Sequence, residues 1–245
     1  MSDYYYPVDY ELYVDWDGDG SLSTNYNEAD YLIKFDIKRG RERHIGAPGK
    51  GFEPYQVGRA VFTLDNHTGR YNPYNTSGAL YGQLSPGELM QFKTKVTNST
   101  GGIATYYNFT GFVSDIEVNG WNKTVNLICE DGLGMLQYTK FSKFPTTYAH
   151  IADVMADFMT DSGYPYDTDF STNDPTTDRL GSLVIVNDKD YLSEFEDICD
   201  ASLGSIACEG DGTLAYHSVY DDDLIIATIY DDDVLNEPLI PSPWE

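Results

Sequence analysis

Over residues 1–140, apolar side chains recur at every second position in short runs, and clusters of Gly, Asn, Asp and Pro separate one run from the next. This spacing restricts the fold more than any other feature. Successive side chains of a strand point to opposite faces, so a period of two gives one buried and one wet face, which a helix cannot use. Tyr10, Leu12 and Val14 alternate, as do Tyr31, Ile33, Phe35 and Ile37. Further runs lie at 59–64, 89–97, 105–117 and 124–129. Asn119-Gly120 between the last two is a hairpin signal, because both residues tolerate positive φ. The expectation for residues 1–140 is an antiparallel β-barrel or sandwich.

After Gly134 the period changes. Ile151, Val154, Met155, Phe158 and Met159 recur at helical spacing and stop at Gly163, a residue suited to end a helix. An apolar strand is expected at 183–186, then a second helix opened by a Ser193/Glu196 capping box and carrying Phe195, Ile198, Cys199 and Leu203 up to Gly204. Short strands at 206–208 and 214–216 flank Glu209-Gly210-Asp211-Gly212, a second hairpin signal. Residues 141–220 therefore read as a smaller α+β domain, making the chain β-rich α+β as a whole. Residues 221–245 read as an acidic strand followed by an extended arm, since Pro238, Pro241 and Pro243 cannot continue a sheet.

The chain has 245 residues, enough to bury a core without covalent staples. Its 21 Tyr suit half-wet contact surfaces, where the ring packs and the hydroxyl stays hydrated. With 40 acidic against 15 basic residues the net charge is −25, which repels phosphate backbones and argues against stable nucleic-acid binding. Cys129, Cys199 and Cys208 have no metal-ligand spacing, as in proteins of a reducing compartment. The N-terminal residues lack the pattern of a signal peptide and no run is long enough to span a bilayer, so synthesis in the cytoplasm and no membrane binding are expected.

Asp15-Trp16-Asp17-Gly18-Asp19-Gly20 alternates three carboxylates ahead of a turn glycine, an arrangement that can wrap a hard cation, Ca²⁺ above all. The twelfth position of an EF-hand loop is Tyr26 here, so Glu28 or Asp30 would have to complete the shell. A plain acidic β-turn is the competing reading, and both stand. Arg39, Arg41 and Arg43 form the concentrated basic run, either a contact for an acidic neighbouring subunit or a solvated loop. No nucleophile elbow or clustered His accompanies the carboxylates, and no enzymatic role is expected.

Gly58-Arg59-Ala60-Val61-Phe62-Thr63-Leu64-Asp65-Asn66, then Gly69-Arg70-Tyr71-Asn72-Pro73-Tyr74, Leu80-Tyr81-Gly82 and Pro86-Gly87, resemble the baseplate-hub and tail-tip proteins of tailed bacteriophages. The acidic run at 15–20, Arg39-Gly40-Arg41, Phe109-Thr110-Gly111-Phe112-Val113 and Glu130-Asp131-Gly132-Leu133 fall in the same order as in that pattern. The resemblance implies a ring, commonly a trimer, whose tube-like barrels close the distal end of the tail in the virion and anchor other tail proteins, such as a tube or distal tail protein and a fibre or spike. An acidic wall would let DNA pass in transit without sticking. Tyr71, Tyr74 and Tyr81 would hold the long loop that makes contacts between subunits, and Trp244 would dock the terminal arm on a neighbour. From a different class, a Ca²⁺-dependent carbohydrate-binding or adhesion module would also use the Asp loop and the tyrosines.

Overall fold

The period-two runs form the strands of one sheet: β1 (Val8–Val14), β2 (Leu32–Lys38), β3 (Arg59–Asp65), β4 (Leu89–Thr97), β5 (Ile103–Asn119) and β6 (Thr124–Asp131). The structure, a computed structural model, describes residues 8–22, 26–39, 57–97, 102–140, 151–170, 189–202 and 204–217. The six strands pair antiparallel in the order β1-β4-β5-β6-β3-β2. β5 spans 17 residues and serves two partners, β4 along its first part and β6 along its second. Register shifts at Phe92/Lys93 and Val113/Asp115 sharpen its twist, and the sheet curls into a half-barrel, the barrel-like alternative of the expectation and not a sandwich.

The curl brings the two edge strands together through their inner-face rings. Tyr10 of β1 and Phe35 of β2 lie 5.6 Å apart, and both meet Phe92, at 5.8 and 4.9 Å. Among the described residues β1 and β2 share no ladder, so side chains close the inside of the curve. Leu12, Phe62, Leu64, Met90, Phe92 and Leu127 are fully buried there. Each such side chain stabilises the fold by roughly 1.5–3 kcal/mol.

A second core begins where β6 ends. Asp131 caps a helix absent from the sequence reading, α1 (Gly132–Tyr138), by accepting a hydrogen bond from Leu133 N. Leu133 and Leu136 of α1 pack with α2 (Ile151–Ser162), α3 (Tyr191–Ser202), β8 (Ser205–Cys208) and β9 (Leu214–His217). The packing thus changes from the first cluster to the second near Asp131. β7 (Thr168–Asp169) runs parallel to β9.

Gly163 has φ +70 and closes α2 as expected. The expected start of α3 needs correction, whereas the expected β5–β6 hairpin forms. α3 starts at Tyr191 and is capped by Asp190, which accepts from Ser193 N at 2.8 Å and from the Ser193 hydroxyl, so Ser193 lies inside the helix and is not its cap. The β5–β6 connection is a four-residue turn, 120–123, because Asn119 Oδ1 accepts from Trp121 N and Asn122 N and the positive φ falls at Lys123. The expected strand at 183–186 and the segment 221–245 lie outside the described residues, and no described helix is long and apolar enough to cross a membrane.

Candidate functional site

Antiparallel pairing gathers parts of three connections at one end of the half-barrel: the turn 15–20 and the short 3-10 turn Ala29–Tyr31 between β1 and β2, the long loop 66–88 and the hairpin tip 120–123. Backbone bonds tie them to the strands, with Asp15 N donating to Leu89 O, Glu28 N to Leu12 O, Asn66 N to Lys123 O and Gly87 N to Val113 O.

The turn 15–20 brings three of the sequence-identified carboxylates together. One oxygen each from Asp15, Asp17 and Asp19 lies within 4.8 Å of the others. Asp15 is buried, and its two oxygens accept from Asp19 N at 3.2 Å and Gly20 N at 2.8 Å. Asp17 and Asp19 are exposed. Partial desolvation, the Asp15 carboxyl and the Asp19 charge together raise the pKa of Asp17 above its ordinary value. Electrostatically the turn favours a proton or a cation over three bare charges.

Glu28 does not complete this set. Its carboxylate is fully buried and accepts from Trp16 Nε1 (3.0 Å), Arg70 Nη2 (2.7 Å), Arg70 Nε (3.1 Å) and the Tyr71 hydroxyl (2.6 Å). Four donors fill the sites that a metal would need. Burial opposes the Arg70 charge, but the hydrogen bonds and charge of Glu28 outweigh it and hold the guanidinium pKa above normal. Burial and the Glu28 charge push the Tyr71 hydroxyl up as well. The Arg70 guanidinium also lies over the Tyr31 and Tyr71 rings, at 5.2 and 5.8 Å.

Tyr71, expected to hold the long loop, has its ring buried inside its own chain in this buckle. It pins the start of loop 66–88, while Leu80, also fully buried, pins the middle. Tyr74 and Tyr81 instead project, at 89% and 53% exposure, and Trp121 at the hairpin tip does so at 94%. The sequence reading missed Trp121 although it lies two residues beyond Asn119, in a turn where an apolar ring has no core to fill.

Arg39 is also used within the chain. β6 leaves β5 at the Gly111–Asp131 pair, so among the described residues the preceding part of β5 has no strand on that side. Arg39 reaches in and donates to Asn108 O from Nε (3.0 Å) and to Tyr107 O from Nη2 (2.8 Å). Its guanidinium serves backbone carbonyls here. Arg41, Arg43 and Trp244 lie outside the described residues.

A buried carboxyl stands at the boundary of the two cores. Asp131 accepts from Gly58 N (2.7 Å) and Leu133 N (3.1 Å), and burial pushes its pKa up to about 7 against the pull of these amides.

The curled sheet followed by a helical module is an arrangement already seen in solved structures. The chain is similar to the tail protein from Neisseria meningitidis MC58, with a TM-score of 0.52 and 14% identity over 84% of this chain and 50% of that one. It is also similar to the 43 kDa tail protein of prophage MuSo2 from Shewanella oneidensis, with a TM-score of 0.50 and 9% identity over 86% and 54% of the two chains. The chain has the fold of phage tail proteins. It spans about half the length of each of these two. No protein-family model and no curated protein matches the sequence.

Proposed function

We propose that the chain is a structural, non-catalytic component of a phage-type tail, a hub protein that forms a ring at the distal end of the tail tube and holds neighbouring tail proteins there. The fold shared with two tail proteins is the observation that carries this reading. The exposed Tyr74, Tyr81 and Trp121 support it, because projecting aromatics on well-anchored turns are the side chains that dominate protein contacts. The net charge of −25 suits a wall past which DNA slides without forming counterion-releasing contacts. A trimer is the expected ring. The acidic turn is the proposed Ca²⁺ position, held by Asp15, Asp17 and Asp19 with water or a neighbour supplying the remaining oxygens.

Light scattering on the purified chain, with electron microscopy of the assembled particle, tests the reading. A closed ring located at the tail end is the expected result. A chain that remains monomeric at high concentration and is missing from the particle would overturn it.

A further inference from the structure

The buried side chains form two distinct apolar clusters, with Val57 just before β3 packed against the second. Between them lies a polar joint, built where β5 has lost its β6 neighbour. The loop 209–213 between β8 and β9 enters that gap, and the Thr110 hydroxyl donates to Gly210 O at 2.8 Å while accepting from Gln91 Nε2 at 3.1 Å. Across the same boundary the Tyr166 hydroxyl donates to Gly111 O at 2.9 Å. The fit needs glycine: a Cβ on Gly210 would stand 2.1 Å from Tyr107 O and 2.4 Å from Arg39 Nη2. Tyr164 shapes the loop from its own side by donating to Gly212 O at 2.7 Å.

We propose that loop 209–213 is a latch, and that the second module undocks from the half-barrel as a folded unit, swinging about the Asp131–Gly132 connection. Two observations support separate opening. The bonds across the latch are a few polar contacts onto backbone carbonyls, which water can replace once the loop lifts. Each side also keeps its own buried core, so opening leaves both modules folded. If the chain is a tail hub, the latch would let the sheet hold its place in the ring while the second module moves. The latch itself does not depend on that reading, and its test does not use oligomeric state.

The three cysteines are built-in reporters. Cys129 lies in the sheet core and Cys199 on α3 in the second core, both fully buried. Cys208 lies beside the latch, with its thiol 3.6 Å from Glu209 O and 4.0 Å from the Tyr164 hydroxyl. Iodoacetamide labelling of the native chain, read at each cysteine by mass spectrometry, should modify Cys208 well ahead of Cys129 and Cys199. Thr110→Val removes one buried hydrogen bond and should speed labelling at Cys208 alone by roughly fivefold, while Thr110→Ser restores the slow rate. Gly210→Ala should open the latch further, and Thr110→Val keeps the test intact if that variant fails to fold. Labelling of all three cysteines in step, or a Cys208 rate indifferent to Thr110→Val, would overturn the proposal.

Discussion

The buckle at Glu28 and the turn at Asp15–17–19 lie side by side, joined through Trp16, yet they treat negative charge in opposite ways. Glu28 is buried with a cation, an indole and a phenol around it, and every lone pair has a donor. The turn crowds three carboxylates with backbone amides as the donors at Asp15. In a chain with 15 basic residues for 40 acidic ones, the placement of a cation separates a structural carboxylate from an exposed cluster that still attracts one. Arg70 went to the buried site, where removing it would leave an uncompensated charge.

The largest effect is expected of Glu28→Ala. It strands the Arg70 guanidinium against the Tyr31 and Tyr71 rings and leaves the Tyr71 hydroxyl without its acceptor. Losing one partner of a buried pair costs about 3–5 kcal/mol, and the low end applies because the Arg70 side chain keeps 18% exposure. Urea unfolding followed by tryptophan fluorescence should show a loss of about 3 kcal/mol. A loss below about 1 kcal/mol would mean that the buckle behaves as a surface pair and that Leu80 alone anchors loop 66–88.

The half-barrel could be read from the sequence because each strand is long enough to display its period, and all six runs became strands. The buckle could not, because its members at 16, 28, 70 and 71 come together through curvature that no local pattern carries. Glu28 looked like a ligand by its distance from Asp15 along the chain, whereas the 3-10 turn at 29–31 follows a backbone bond from Glu28 N to Leu12 O and the side chain lies inward. The inward placement of Tyr71 was hidden for the same reason. α1 was missed because its seven residues, two of them Gly, show less than two full periods, and a cap by Asp131 that also gathers Gly58 N is a long-range event.

Asp131 stands between these two cases, being buried like Glu28 but held by amides like Asp15. Its folded pKa of about 7 lies above the ordinary 3.8, so the folded state holds the proton longer than the unfolded chain does. The associated stability is fully present below pH ~4, declines as pH rises toward ~7 and is constant above that. Asp131→Asn cannot ionise, so its thermal midpoint should fall less steeply across this window than that of the wild type, whatever its absolute level. Parallel slopes would show that the amides from Gly58 and Leu133 keep the carboxylate charged throughout.

The smallest effect belongs to Asp17→Asn. Asp17 is exposed and its pKa is raised, so its charge becomes a burden as pH climbs through that pKa, and removing it should raise the thermal midpoint slightly at neutral pH when a chelator is present. Added Ca²⁺ should reverse the order, because a cation bound only by the folded chain raises the wild-type midpoint by mass action while the variant has lost a ligand. Mg²⁺ at the same concentration is the control, since it demands six near-ideal oxygens at short range and gives up its water reluctantly. If Ca²⁺ moves neither protein, Asp17 is a solvated charge on a turn whose shape Asp15 sets through Asp19 N and Gly20 N, with Asp19 Oδ1 accepting from Ser21 N. The contrast with Glu28 would then reduce to burial, with no part left for a missing cation.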